Sequence, residues 1–544
     1  MNIVNVIFWV SLFLYLNLGI NSLLFTYPDE GRNAFATLFM LKSGDFIVPF
    51  YNGEIRYDKP PLLYYSAIIL HKIFFFLNLE ISFRLVSVLS IFFSALILFE
   101  FTKYFLKEDI LGKNFILFRY LAVVIYCSFV NIFIESKAFV PEPLLTLFIH
   151  LSLLAFFKIY NSENTKFWVY VFWISLGFGM LAKGIVSFIV VFLIIITFLL
   201  IEKKIYFLKK LFDLLSFSIG ILIGISWFVF VGIQTNGDFL YHFFFVHNVG
   251  RFTGSSNMHI NPPYFYLTVI LVNVIPIIEI FLISFFSFLY KIFKNQKDDF
   301  LNLKFLFVYF LIVLVFYSLS KGKVHHYIMP ALLPLSVLIS YFLALYFKSN
   351  SKFGWLVSLG LLIPLVLYFV KVPAEFLVFK RILLIFFFIS TILYFLLFNF
   401  LKNSAKEYYV FVLTSLKVLM FYFLVTFSVS KVFGNQYEFL IKIKSKSLMM
   451  VGDISTVSFY NLLINNQHKT DDLWYILQTN YLNNETINEI NHAIKKRQEV
   501  LIFSEKKYLD VLLNTIKEAG FNYDIEEVIV AQSKLKVVKI HKSE

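Results

Sequence analysis

Cysteine is almost missing from this chain: the only one, Cys127, lies inside an apolar run. A single thiol excludes an intrachain disulfide and cannot build a thiolate metal site. Charge is scarce as well. Asp, Glu, Lys and Arg make up 15% of the 544 residues against 59% hydrophobic, and mean hydropathy is +0.78. A soluble protein of this size could not solvate such a surface. Acids are scarcer than bases, 34 against 48, which leaves a formal charge of +14. That excess is not a nucleic-acid footprint, because the lysines are scattered through short segments between apolar runs. Topology and attraction to anionic membrane lipid explain them better, and no nucleic-acid partner is expected. The first apolar run, Ile3 to Phe25, has neither a basic leader nor an Ala-x-Ala cleavage site, so it reads as a retained helix.

What the chain does have is a series of apolar runs of about 20 residues, each long enough for roughly 30 Å of hydrocarbon. The 72 Phe, with abundant Ile, Lys and Asn, fit an AT-rich genome better than an aromatic cofactor pocket. The fold class is an all-α polytopic membrane protein of about 13 spans. They fall near 3–26, 82–106, 115–134, 143–160, 166–181, 184–201, 211–233, 264–290, 303–319, 325–347, 353–370, 378–400 and 408–430. Segments 29–41 and 62–78 are amphipathic or short and fit helices at the interface. With the N-terminus cytoplasmic, the inside loops carry Lys103, Lys107, Lys113 and Arg119, then Lys203, Lys204, Lys209 and Lys210, then Lys291, Lys294, Lys297 and Lys304. Short basic loops on one side satisfy the positive-inside rule. Loops 27–80 and 234–263 then face away from the cytoplasm.

The transmembrane domain is placed at 1–435, and the composition changes after it. Within 436–544, Leu448–Gly452 and Val500–Phe503 read as buried strands, Tyr508–Ala519 as a helix ending at Gly520, and Val528–Val530 with Leu535–Ile540 as a closing strand pair. This is a small soluble α/β domain, placed on the extracytoplasmic side. It has no phosphate-binding glycine loop and no nucleophile elbow, so a supporting or acceptor-docking role is expected of it.

The charges that do occur in the apolar part are concentrated. Tyr27-Pro28-Asp29-Glu30-Gly31-Arg32 and Tyr57-Asp58-Lys59-Pro60-Pro61 share one loop after the first span. Asp29 could simply cap a helix. The prolines after Lys59 hold the chain extended, where a lysine can meet a phosphate at the membrane surface. Arg251, among aromatics in 244–252, either joins that site or snorkels to interfacial lipid. Glu142, between Pro141 and Pro143, is either a site acid or an N-terminal helix acid favoured by the macrodipole. Lys183, in Ala182-Lys183-Gly184, sits where two apolar runs meet and could be only a turn. Tyr327 follows His325 and His326 at the opening of the tenth expected span. Adjacent helical residues point about 100° apart, so the paired histidines read as interfacial packing and not as shared metal ligands. Five loops thus place acids, cations and a tyrosine on one face.

Pro28-Asp29-Glu30-x-Arg32, Gly44-Asp45-Phe46-Ile47-Val48-Pro49, Asp58-Lys59-Pro60-Pro61, Ala182-Lys183-Gly184, His247-x-x-x-Arg251-Phe252 and Ser320-Lys321-Gly322-Lys323 with Tyr327-Ile328-x-Pro330 occur in that order. In this the chain resembles GT-C glycosyltransferases that use polyprenyl-phosphate sugars. The resemblance is to the bacterial aminoarabinose (lipid A) transferases and the protein O-mannosyltransferases. It implies an inverting single displacement from a polyprenyl-phosphate-sugar donor to a glycolipid or protein acceptor, at the bacterial inner membrane and on its periplasmic side. It implies catalytic carboxylates at Asp29, Glu30 and Glu142, and donor-phosphate contacts from Lys59, Arg32, Arg251 and Tyr327. Glu142 departs from the Asp usual there, and Asp58 replaces a Glu that can contact a metal. No cofactor is certain on this resemblance, a divalent metal is possible, and Asp58 is the candidate ligand. A flippase for lipid-linked sugar is the alternative, weakened by the lack of an internal repeat. A ligase or polymerase using a lipid-linked donor is another.

Overall fold

The computed structural model describes residues 3–21, 28–255, 259–294, 300, 303–348, 354–372, 376–401 and 403–433. Beyond these it describes the strands of a C-terminal sheet and isolated helical positions at 513, 514 and 517. Tyr27 and nearly all of the expected Tyr508–Ala519 helix lie outside the described residues.

Among the described residues, eight helices are long and apolar enough to cross a membrane, by length and composition: Leu79–Phe105, Glu142–Tyr160, Thr165–Lys183, Leu214–Gln234, Ile275–Phe293, His325–Lys348, Leu377–Phe400 and Lys406–Ser430. Five further expected spans coincide with apolar helices of 10–17 residues: Ile3–Leu16, Phe115–Ser128, Val186–Ile201, Lys304–Leu319 and Gly354–Phe369. The central element is His325–Lys348, whose apolar window is buried throughout and packs against the 115–128, 278–293 and 304–319 helices. A helix apolar on every side belongs in the middle of a bundle.

Two expected spans are broken. In 264–290, Pro276 lacks the N–H that would continue the ladder, so a helix over Phe265–Asn273 gives way to a 3₁₀ turn and then to Ile278–Phe293. In 115–134 the helix stops at Ser128, Phe129 is extended (φ −61°, ψ 136°), and a new helix runs over Val130–Glu135. Asn273 Oδ1 accepts the Asn131 N–H released by this break at 2.9 Å. The first expected span is also shorter, with helix over Ile3–Leu16 followed by turns to residue 21.

Helices over Pro28–Ser43 and Leu62–Ile73 cover the segments expected at 29–41 and 62–78. Between them Asp45 Oδ1 accepts the N–H groups of Ile47 (2.9 Å) and Val48 (3.3 Å), turning the chain into a two-stranded hairpin. The hairpin pairs Phe50–Tyr51 with Glu54–Ile55 across Asn52 (φ 54°) and Gly53 (φ 85°). Asn-Gly suits a turn that needs positive φ at both central residues.

The C-terminal sheet orders its strands Ile476–Leu477, Ser447–Val451, Glu499–Ser504, Ser533–His541 and Asn522–Val530. The first three run parallel and the last two antiparallel.

The Thr165–Lys183 and Leu214–Gln234 helices cross closely because glycines meet there. A Cβ on Gly220 would stand 2.4 Å from the Trp173 carbonyl oxygen, and one on Gly177 2.4 Å from the Gly220 carbonyl oxygen. Small residues at a membrane helix crossing let backbones touch where side chains could not. Lys183 hangs from the end of this pair. Gly220→Leu is therefore expected to lower the melting temperature of the detergent-purified protein and to cut sugar transfer, measured by a thermal shift and a turnover assay.

Candidate active site

The site begins at the Asn52-Gly53 hairpin. Its return strand ends one residue before Arg56, whose N–H donates to the Pro49 carbonyl at 2.8 Å. The Arg56 side chain is buried and donates to Tyr64 Oη (3.2 Å) and Asn33 Oδ1 (2.9 Å), with Asp58 Oδ1 3.2 Å from its Nε. Three residues on, just before the prolines that lead into the Leu62–Ile73 helix, Lys59 is a second buried cation. Lys59 Nζ lies 3.6 Å from Asp29 Oδ2 and 4.0 Å from Asp58 Oδ2.

Asp29 is the second residue of the Pro28–Ser43 helix, two residues inside the position of a cap. Its Oδ1 lies 3.6 Å from Arg32 and 4.0 Å from Arg56. The Asp29 side chain is 42% exposed while those of Lys59 and Arg56 are each 4% exposed, so the carboxylate is the accessible member of the cluster. Lys59 first, with Arg56, Arg32 and Arg251 adding to it, holds the Asp29 carboxyl far below the ordinary carboxylate range. Burial would raise the Asp58 carboxyl, but Arg56 and Lys59 outweigh it and the result is a lowered pKa. Burial would strip Lys59 of its proton, yet Asp29 and Asp58 reverse that and raise it. All three groups are charged near neutral pH.

Glu30 turns the other way. Arg84 grips it bidentately (2.7 and 3.0 Å), and the Phe139 N–H donates to it at 2.9 Å, all buried. It fastens the Pro28–Ser43 helix to the Leu79–Phe105 helix and to the residues preceding Glu142.

Arg251 arrives from the 234–263 loop, which is pinned to the 320–324 segment. Gly322 N–H donates to the Arg251 carbonyl (2.9 Å), Lys321 N–H to Phe252 (3.0 Å) and Lys323 N–H to His259 (2.9 Å). His247 precedes it in a wide π-helical turn, a form often found at functional sites; burial chiefly lowers its pKa. Glu142 pairs with Lys183 at 2.7 Å, and Lys183 Nζ sits 3.7 Å from the centroid of the Tyr327 ring. The turn therefore delivers Lys183 to the site and is more than a connector.

The structure thus brings Asp29, Arg32, Asp58, Lys59 and Arg251 together, and gathers Glu142, Lys183 and Tyr327 beside them. Both Asp58 oxygens face cations, a setting that opposes a metal ion. Arg56 and Arg84 were missed in the sequence. The Asn-Gly turn could have marked Arg56, and a lone arginine four residues into an apolar run could have marked Arg84.

The family model for dolichyl-phosphate-mannose-protein mannosyltransferase matches residues 6–243. An uncharacterized protein of Aquifex aeolicus is 36% identical over 66% of this chain and 77% of its own length. The chain belongs to the GT-C family of polyprenyl-phosphate-sugar glycosyltransferases. The undecaprenyl phosphate-alpha-4-amino-4-deoxy-L-arabinose arabinosyl transferase of Wigglesworthia glossinidia brevipalpis is 28% identical over 58% of this chain and 54% of that one. The chain thus spans about half the length of that relative. The crystal structure of ArnT from Cupriavidus metallidurans bound to undecaprenyl phosphate is similar at a TM-score of 0.72 and 16% identity, covering 98% of this chain and 97% of that one. Membership of this glycosyltransferase family counts against the flippase alternative.

Two predictions follow from the charges of this glycosyltransferase. Glu30→Gln or Arg84→Met strands a buried charge or donor and should cost about 3–5 kcal/mol, read as a large fall in thermal stability. The lowered pKa of Asp29 gives the sign of its pH dependence: its stabilisation is present above the unfolded carboxylate pKa, near ~4, and lost as pH falls. The stability difference between wild type and Asp29→Asn should be constant from about pH 5 to 8 and change only below about pH 4.

Proposed function

We propose that this glycosyltransferase moves a sugar from a polyprenyl-phosphate donor to an extracytoplasmic acceptor by single displacement with inversion. A lipid A-type glycolipid is favoured as acceptor over protein or another envelope glycan. The enzyme would sit in the bacterial inner membrane with about 13 spans, its site and the sheet-bearing 436–544 region both facing the periplasm.

The observation that carries this reading is the set of four cations, Lys59, Arg56, Arg32 and Arg251, that act on Asp29. Cations held beside the leaving phosphate stabilise the charge that develops there as the sugar C1 becomes oxocarbenium-like. Lys59, Arg32 and Arg251 take the phosphate in this reading, and Tyr327, whose ring lies against Lys183, borders it. Asp29 is the accessible carboxylate and stands near the reacting carbon. Held far below its ordinary pKa, it is a feeble base in the resting site. That favours an acceptor already anionic, such as a glycolipid phosphate, over a neutral hydroxyl. Asp29 then acts by electrostatic stabilisation and orientation. Glu142 is the second site acid, anchored by Lys183, whereas Glu30 serves by fixing the helix that carries Asp29.

In reconstituted enzyme, Asp29→Asn and Lys59→Ala should each lower turnover by at least about 10²-fold in protein that still inserts and folds, although loss of a charge partner also lowers the melting temperature. Normal transfer by both would remove the catalytic assignment. Mass spectrometry of lipid A, envelope glycans and secreted proteins, from cells with and without the gene, should show one sugar lost from the lipid A pool. Loss from a protein pool instead would move the acceptor assignment to protein.

A further inference from the structure

Outside the Asp29 cluster, a second group of polar side chains converges with buried atoms left unsatisfied. Glu135 closes the short helix that follows the break at Phe129, and its side chain is 1% exposed. His326 Nδ1 lies 3.3 Å from Glu135 Oε1, and His325 Nδ1 lies 3.8 Å from the same oxygen. Glu135 Oε1 and His326 Nδ1 are both buried without a hydrogen-bond partner. The reading of the two histidines as diverging helical neighbours does not hold. They sit in a 3₁₀ turn, His325–Ile328, with ring centroids 5.0 Å apart, and the acid approaches both from another segment. Asn131 locks the two segments together by donating to the His325 carbonyl at 2.8 Å.

The second nitrogen of His326 adds to the geometry. His326 Nε2 faces Glu142 Oε1 at 3.4 Å. An N–H at that nitrogen leaves the Nδ1 lone pair directed at the Glu135 carboxylate. Two lone pairs facing each other in a buried setting repel, unless a proton or a metal cation stands between them. A histidine that gives one ring N–H to a carboxylate and turns the other nitrogen to a metal is the usual supporting arrangement at metal sites. The spacing agrees: two ligand atoms about 2.0–2.1 Å from a tetrahedral ion stand about 3.3 Å apart. A charge-assisted N–H···O bond would instead draw the atoms to about 2.7–2.9 Å. His325, 37% exposed, has the freedom to close its extra half-ångström.

We propose that Glu135, His325 and His326 bind a divalent transition-metal cation of the zinc class, with the fourth coordination position left open. Two imidazoles and one carboxylate suit zinc over magnesium or calcium, which prefer all-oxygen shells. The site does not depend on the donor or acceptor proposed above. Through His326 the ion is tied to Glu142, and through Glu142 to Lys183, so it would also position the second acid of the active site.

The test uses the full chain purified in detergent, stripped with a chelator and then dialysed against zinc. One equivalent of zinc should be retained by elemental analysis, and cobalt(II) in its place should give the visible bands of a four-coordinate site. His325→Ala and Glu135→Gln, each checked for folding by its melting curve, should weaken zinc binding by at least about 10²-fold, beyond the 10–100-fold typical of losing a supporting contact. Asp58→Asn should keep the full equivalent. Wild-type protein that takes up less than one equivalent at tens of micromolar free zinc would overturn the proposal, leaving a protonated imidazole between two carboxylates. An equivalent that survives in both His325→Ala and Glu135→Gln would overturn it as well.

Discussion

Everything in the candidate active site depends on keeping Lys59 and Arg56 charged while they are buried. An isolated ammonium or guanidinium taken out of water is expensive, and only close carboxylates make it tolerable. Asp58 is within 3.2 Å of Arg56 and 4.0 Å of Lys59, and Asp29 within 3.6 Å of Lys59, so each cation has an acid beside it. The arrangement is not closed, because Asp29 stays half-exposed and Arg251 reaches in from a separate loop. An anion arriving beside Asp29 meets cations whose desolvation has already been met by folding. Such a preorganised field acts without further rearrangement when charge develops.

The same requirement explains why so much of the nearby structure is rigid. Arg56 uses Asn33 and Tyr64 as well as Asp58, so it is held by two helices and the hairpin at once. Glu30 and Arg84 form a second buried pair, one residue from Asp29 and about 100° further round the helix. The first pair group handles charge at the site, and the second fixes the frame that carries it. Neighbouring acids in the sequence therefore serve different ends, and only their surroundings tell them apart.

Much of this was legible in the chain. Apolar runs separate the spans, and Asp29, Lys59, Arg251 and Tyr327 stand out because charge and polarity are rare around them. Periodicity could not reveal where a span breaks. Pro276 carried a visible signal, but the stop at Ser128 did not: the residues around Phe129 are ordinary helix formers in a membrane, and the break is stabilised by Asn273, more than 140 positions away. Glu30 was legible as a charge and illegible in role, since its partner Arg84 lies 54 residues on. The convergence of His325 and His326 was hidden for the same reason. It needs a 3₁₀ turn and an acid from a different segment, neither of which adjacent histidines announce.

The break at Phe129 also explains how the two charged groups come to be neighbours. A continuous helix through 115–134 would carry Glu135 further along the axis of that span. Interrupted, the chain turns so that Asn131 meets the His325 carbonyl and Glu135 meets both imidazoles. His326 then spans from Glu135 to Glu142, and Glu142 holds Lys183 at 2.7 Å. Glu142 is also among the groups that raise the pKa of Lys59. A run of close polar contacts thus links Glu135 through His326 to Glu142, whose charge in turn acts on Lys59 beside Asp29. Lys59 answers to Asp29, Asp58, Glu142 and Arg251 together, so the site's electrostatics belong to the network and not to any single pair.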